Sequence, residues 1–222
     1  MWSTLPAKTP KKRSSSHTPS LVTPVKSPLT QPTISIYYYI VACPFGQLLV
    51  GYTTHEQIAI IHIAGSIKEL LDDVKILYPS YDCQRAPGKS VFNPDLYSVV
   101  CRIGDPAYPI ASLDIYQTGS AFQLKVWEAI SKIPMGETRT YGQIALAVGA
   151  EKSVRAVAAA CGKNAIAVLV PCHRVVGKDS LGGYKWGTDI KEKLLQWEKA
   201  ALMRQEETAE TGEDKAEGYP SP

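Results

Sequence analysis

Pro171-Cys172-His173-Arg174-Val175 stands directly after the apolar run Ile166 to Val170. That run reads as a hydrophobic strand with a thiol at its end, beside an imidazole and a guanidinium. The thiolate is the nucleophile of cysteine chemistry, and nearby positive charge or a histidine base favours it. Cys172 is thus in a position where its pKa can be lowered. A Cys-His pair alone also fits a packing cysteine beside a solvent histidine, because adjacent strand residues point to opposite faces. The flanking sequence has to decide between the two.

Upstream, from Gly119, the pattern is helical. Ser120 can cap a helix with Phe122, Val126, Trp127 and Ile130 on one face, ended by Ile133-Pro134-Met135-Gly136. Thr140 is an N-cap for Tyr141 to Val148, Gly149-Ala150 makes a turn, and Ser153 caps Val154 to Cys161. Two short helices around a glycine turn predict a helix-turn-helix. The second holds Ala156, Ala158, Ala159 and Ala160, with the long cation Arg155 near its start. Small side chains let a helix approach another surface closely, and a helix N-terminus favours phosphate. Tight packing explains the alanines equally well, but arginine is rarely buried without a partner. A final helix is expected from about Thr188 to Leu202, with Ile190, Leu194, Leu195 and Trp197 inward.

Residues 35–118 read as an α/β module. Ile36 to Cys43, Gln47 to Tyr52 and Gln57 to Ile63 are strand-like runs joined by short turns, an antiparallel meander. Ser66 is a candidate N-cap, with Glu69 completing a capping box, for a helix burying Ile67, Leu70, Leu71 and Val74 and ending near Tyr78-Pro79. Asn93-Pro94 can open a helix over Asp95 to Ile103, and Ile110 to Ile115 reads as one more strand. Nothing in this half reads as catalytic.

The chain has 222 residues, 45% of them hydrophobic, and no apolar run near the ~20 residues of a membrane span. No secretory h-region is expected, and five scattered cysteines fit a reducing, intracellular compartment rather than a disulfide framework. Residues 1–34 are rich in Pro, Ser, Thr and Lys and carry +5; residues 205–222 carry −5; both read as disordered tails. Lys8-Thr9-Pro10-Lys11-Lys12-Arg13 fits a nuclear import signal, which would place the protein in the nucleus of a eukaryotic cell. Residues 119–203 hold twelve bases and seven acids, a +5 surface that suits phosphate backbones.

From Gly119 to about Lys199 the chain resembles the O6-alkylguanine-DNA alkyltransferases, also called methylated-DNA–protein-cysteine methyltransferases. The resemblance rests on Phe122-Gln123, Val126-Trp127, Ile133-Pro134, Gly136-Glu137, Thr140-Tyr141, Arg155-Ala156-Val157, Asn164 and Pro171-Cys172-His173-Arg174-Val175-Val176, with Tyr184 and Glu198 following. The fold it implies is an α/β N-terminal module of antiparallel strands with helices over 35–118, then an α-helical, winged helix-turn-helix-like DNA-binding and catalytic domain over 119–204.

The activity it implies is direct-reversal DNA repair. An alkyl group passes from O6 of guanine in double-stranded DNA to the protein's own Cys172; O4-alkylthymine is a second candidate substrate. By the same resemblance His173 is the base, acting through a water, and Glu198 orients and charge-stabilises the imidazole. Tyr141 protonates the guanine leaving group and helps rotate the target phosphate, and Asn164 locks the turn before the reactive segment. Arg155 fills the gap left by the flipped nucleotide, and Gln123 touches a phosphate. The thioether is not reversed, so one turnover per molecule is implied, with no cofactor, minor-groove contact, a monomer and no membrane. Cys43, His55 and His62 do not fall at the zinc-binding spacing of some relatives, so no metal site is carried over. Lys185-Trp186 replaces small residues of other relatives, and an indole there is expected to narrow the pocket mouth against benzyl adducts. Three rival readings are a lesion-binding alkyltransferase-like protein, whose members lack the cysteine present here, a helix-turn-helix regulator, whose reading helix would carry polar side chains rather than alanine and valine, and a cysteine hydrolase using Cys172, His173 and Glu198, though such enzymes usually draw their histidine from far along the chain.

Overall fold

The computed structural model describes residues 34–86 and 114–211, with side chains through 207. The cluster Lys8 to Arg13, the helix expected over Asp95 to Ile103, most of the strand expected over Ile110 to Ile115, and the acidic tail beyond Thr211 lie outside them.

Three strands form the expected meander: β1 (Ile34–Cys43), β2 (Gly46–Thr53) and β3 (Ile58–Ala64). Gly46 closes the first hairpin at φ +133°, where a side chain would collide with the carbonyl of Ala64. The fourth strand, β4 (Tyr81–Arg85), was not legible as a strand; it adds parallel to β1 and gives the order β3-β2-β1-β4.

The period of two along β2 and β3 divides the core. Leu49 and Ile60 point to one face, where they meet Ile36 and the Leu70 and Val74 of α1 (Ile67–Leu77). Leu48, Val50, Ile61 and Ile63 point to the other, where they pack with Val126, Trp127, Ile130, Val157 and Leu194 of the helical half. Ile67, expected inside, is 50% exposed. Ser66 caps α1 through its hydroxyl, but Glu69 reaches back to the backbone N–H of Gly65, one residue earlier than a capping box requires.

The helical half contains α2 (Ala121–Ser131), α3 (Tyr141–Ala147), α4 (Val154–Lys163) and α5 (Thr188–Thr211). Ser120 with Gln123, and Thr140 with Gln143, form complete capping boxes. Ser153 occupies the N-cap position of α4 without making the expected side-chain bond. Helices α3 and α4, joined through Gly149 at φ +71°, are the helix-turn-helix. β5 (Arg139–Thr140) pairs in parallel with β6 (Val175–Val176) as a small two-stranded sheet beside it. α5 extends past the expected end at Leu202 to Thr211. Among the described residues no helix is long and apolar enough to cross a membrane.

The halves are joined at the edge of the sheet. Ile61 on β3 donates to Ala165 O at 3.0 Å and accepts from Ala167 N at 3.1 Å, while Ile58 makes the equivalent pair with Asp114 and Tyr116 in the segment that leads to the helical half. The described residues all fall within one compact unit.

Candidate active site

The segment that reads as a strand is not one. Within Ile166 to Val170 only Ile166 pairs, in its single bridge to Ile61, and Val168 turns the chain at φ +64°. A β-branched residue rarely adopts that conformation, so the surroundings must hold it. Asn164 does so from inside the turn. Its Nδ2 donates to Ile166 O at 3.2 Å and Val170 O at 2.9 Å, and its Oδ1 accepts from Ile166 N at 3.0 Å. The same Nδ2 lies 3.2 Å from Cys172 Sγ. Asn164 is fully buried, and its amide replaces the strand partners this backbone lacks.

Cys172, His173 and Arg174 then form one turn of 3-10 helix, all three buried. Glu198, from the middle of α5, meets two of them. His173 Nε2 lies 2.7 Å from Glu198 Oε1, and the Arg174 guanidinium bonds both carboxylate oxygens at 2.7 to 3.1 Å. Arg174 Nη1 also donates to Ile133 O at 2.6 Å. A carboxylate can only accept, so His173 Nε2 carries its hydrogen toward Glu198. Nδ1 is then the basic nitrogen of the neutral ring, and it is buried without a protein partner among the described residues.

The electrostatics correct the expectation of a lowered thiol pKa. Burial pushes Cys172 up to about 11, against the Asn164 hydrogen bond and the charges of Lys191 and Lys185. Arg174 does not offset this, because its charge is taken up by Glu198. Burial also lowers His173, with Glu198 opposing it. Burial would raise Glu198, but the hydrogen bonds from His173 and Arg174 outweigh it and hold the carboxyl at about 2. The resting site therefore holds a neutral thiol, a neutral imidazole and a carboxylate.

Cys172 opens on a cavity of about 410 Å³ lined by Tyr141, Ala158, Cys161, Gly162, Gly183, Tyr184 and Lys185. The Tyr141 hydroxyl is 3.4 Å from Gly183 O. Tyr184 stands edge-on to His173, with its hydroxyl buried and unbonded among the described residues. A larger groove of about 620 Å³ between α2 and α3 holds Lys125, Lys132 and Arg139 but no nucleophile.

Of the residues singled out in the sequence, Cys172, His173, Glu198 and Asn164 come together, and Tyr141 faces Cys172 across the cavity. Arg155 is exposed at the first turn of α4, on a face it shares with exposed Ala156, Ala158 and Ala159. Those alanines are therefore not internal packing. Gln123 does not border the cavity; its side-chain oxygen accepts from Ser120 N at 2.8 Å in the cap of α2. The expectation for Trp186 is overturned. Its indole is buried away from the cavity and donates to His62 Nδ1 at 2.8 Å, leaving His62 Nε2 to donate to Asp73 at 3.2 Å. Lys185 borders the mouth instead.

Two lysines had no role at the site in the sequence reading, Lys185 having been noted only as a departure beside Trp186. Lys191 is fully buried, donating to Val175 O at 2.6 Å and Gly183 O at 3.1 Å. Lys185 donates to the Tyr78 hydroxyl and to Asn164 O, each at 2.9 Å. Neither stands near Cys172 in sequence, so no local pattern marks them. Among the described residues no group of three His, Cys, Asp or Glu side chains is placed to hold a metal ion.

Residues 121–200 match the family model for the DNA-binding domain of 6-O-methylguanine DNA methyltransferase. Over 88 residues the chain is 58% identical to a probable methylated-DNA–protein-cysteine methyltransferase of Acanthamoeba polyphaga mimivirus, 40% of this chain and 59% of that protein. Over 167 residues it is 36% identical to the bifunctional transcriptional activator and DNA repair enzyme Ada of Escherichia coli strain K12, 74% of this chain and 46% of that one. The matches thus span about half the length of these curated relatives. The fold is similar to that of Mycobacterium tuberculosis OGT in complex with DNA, at TM-score 0.62 and 29% identity, over 74% of this chain and 94% of that one. The matched residues 121–200, which carry the Asn164-anchored Cys172 turn, thus belong to the 6-O-methylguanine DNA methyltransferase family.

Proposed function

We propose that this protein repairs DNA by direct reversal, moving an alkyl group from O6 of guanine in duplex DNA to Cys172 in a single irreversible turnover. The observation that carries this reading is the position of Cys172. Its sulfur is bonded by Asn164 and opens on a cavity with room for a flipped base, walled by Tyr141, Tyr184 and small residues. The match of residues 121–200 and the resemblance to a protein whose structure was solved with DNA support it.

In the proposed reaction the thiol proton passes to His173 Nδ1 through a water, and Glu198 stabilises the imidazolium. The S–C bond forms as the C–O6 bond breaks. The electron pair goes to the guanine, which takes a proton in place of the one the thiol lost. Tyr141, on the cavity wall with its hydroxyl near Gly183 O, supplies that proton or an equivalent hydrogen bond. A thiol held near 11 by burial needs the His173 base to reach the thiolate at neutral pH. The exposed face of Arg155, Ala156, Ala158 and Ala159 meets the minor groove, and Arg155 fills the place of the extruded base. Gln123 adds a phosphate contact at the start of α2, the protein acts as a monomer, and the 8–13 cluster directs it to the nucleus. The chemistry requires no cofactor.

The test is intact-protein mass after incubation with an oligonucleotide holding one O6-methylguanine. A gain of one methylene unit that stops at one equivalent, and is lost in Cys172→Ser, is the expected result. No gain, with the oligonucleotide still bound, would make the protein a lesion binder and Cys172 a structural thiol.

A further inference from the structure

Lys185 is an ammonium without a carboxylate. Its Nζ donates to a neutral hydroxyl, Tyr78 Oη, and to a backbone carbonyl, Asn164 O, and lies 4.6 Å from the centre of the Tyr78 ring. No ion pair holds it among the described residues; Asp73 and Asp189 border a neighbouring cavity that Lys185 also touches, without pairing to it. Also facing it among the described residues are Glu69 on that neighbouring cavity, the His62 ring, the Cys172 thiol and the like charge of Lys163. A half-buried cation held by dipoles and an aromatic face keeps its field for an anion that arrives later. It stands on the wall of the Cys172 cavity.

Asn164 ties this ammonium to the nucleophile. Its side chain donates to Cys172 Sγ and its own carbonyl accepts from Lys185, so one buried residue fixes both ends. The other support, Tyr78, is the C-cap residue of α1, in the half of the chain that reads as scaffold.

We propose that Lys185 is a positioning residue for the transferred charge: its ammonium, held by Tyr78 and Asn164, stabilises the Cys172 thiolate and then the negative charge that moves onto the leaving base. The second part rests on the alkyl-transfer reading above; the first does not. Negative charge starts on sulfur and ends on the ring, and Lys185 borders the space that contains both positions. The sheet half of the molecule thereby contributes to the reactive site through Tyr78.

The test has two arms, on the full chain and its Lys185→Met, Lys185→Arg and Tyr78→Phe variants. The first follows iodoacetamide labelling of Cys172 by peptide mass across pH, with no DNA present. Burial holds Lys185 down at about 8, so its charge acts below that pH; there Lys185→Met should slow labelling about tenfold, equivalent to a rise of about one unit in the thiol pKa, Lys185→Arg should restore it, and Tyr78→Phe should fall between. An unchanged profile in Lys185→Met overturns the proposal. The second arm is single-turnover transfer from the O6-methylguanine oligonucleotide. Lys185→Met should slow it about tenfold or more at neutral pH, with affinity for undamaged duplex unchanged. Transfer at the wild-type rate in Lys185→Met also overturns the proposal. If the first arm shows the pKa shift while even the wild-type chain transfers nothing, the thiolate role stands and the alkyl-transfer reading fails.

Discussion

Glu198 holds two partners on one buried carboxylate, the neutral His173 imidazole and the cationic Arg174 guanidinium. That makes it a folding determinant beside the support of His173 proposed for it, and its titration reads the first. Its pKa is about 2 in the folded protein against 4.5 for a free glutamate. Between those values the unfolded chain binds more protons than the folded one, so the stability Glu198 contributes is present above pH 4.5 and is lost as pH falls toward 2. His173, lowered by burial from 6.5, acts with the same sign and begins to cost stability below that pH. Urea unfolding at pH 7, 5 and 3 should show an acid loss of about 2 kcal/mol from Glu198 by pH 3. Glu198→Gln should flatten that dependence and cost about 3 kcal/mol at neutral pH, because Arg174 is left buried and uncompensated. Equal acid sensitivity in the variant would place the titrating group elsewhere. Cys172 and His173 were legible in the sequence because they are adjacent after an apolar run, and Glu198 only through the family resemblance. Lys185 and Lys191 were not, since only the packing of the whole chain brings them to Cys172.

At the scale of the element, α4 is the surface proposed to meet DNA. Val157, Ala160 and Cys161 face the core, while Arg155, Ala156, Ala158 and Ala159 face outward. An exposed alanine face gains little within the protein, so substitution there separates binding from stability. Ala159→Glu should change the unfolding free energy by no more than about 0.5 kcal/mol. It should weaken duplex binding severalfold, most at low salt, because it sets a carboxylate against phosphate. Titration of fluorescent duplex at two salt concentrations checks it; unchanged affinity would move the DNA surface off α4. The helices were legible in the sequence because their caps, Ser120 and Thr140, and their apolar periods agree. The segment 166–170 misled because five apolar residues read as a strand wherever they lie, and the turn at Val168 exists only because Asn164 bonds it. β4 was missed because Tyr81–Arg85 is a largely polar edge with one paired side, which carries no hydrophobic alternation.

At the scale of the whole molecule, the reactive segment is bound to the sheet at three places. Ile61 pairs with Ala165 and Ala167 just ahead of the turn, Tyr78 holds Lys185, and His62 accepts from Trp186 in the loop that follows Tyr184. The apolar core between β2–β3 and helices α2, α4 and α5 is continuous across the same boundary. Neither half can bury its inner face alone: without the helices Leu48, Val50, Ile61 and Ile63 meet water, and without the sheet the Asn164 turn loses its edge partner. The halves should therefore open together. Hydrogen exchange followed by mass should give peptides of β2–β3 and of α2 and α4 the same opening free energy, within about 1 kcal/mol, in mild urea. Trp186→Phe removes the donor to the buried His62 and should lower both sets by about 1 to 2 kcal/mol. Exchange of the sheet at lower urea than the helices would mean two separately stable units. Support of Lys185 by Tyr78 would then be lost whenever the sheet opened, and the thiol would titrate higher in that open state than in the closed one.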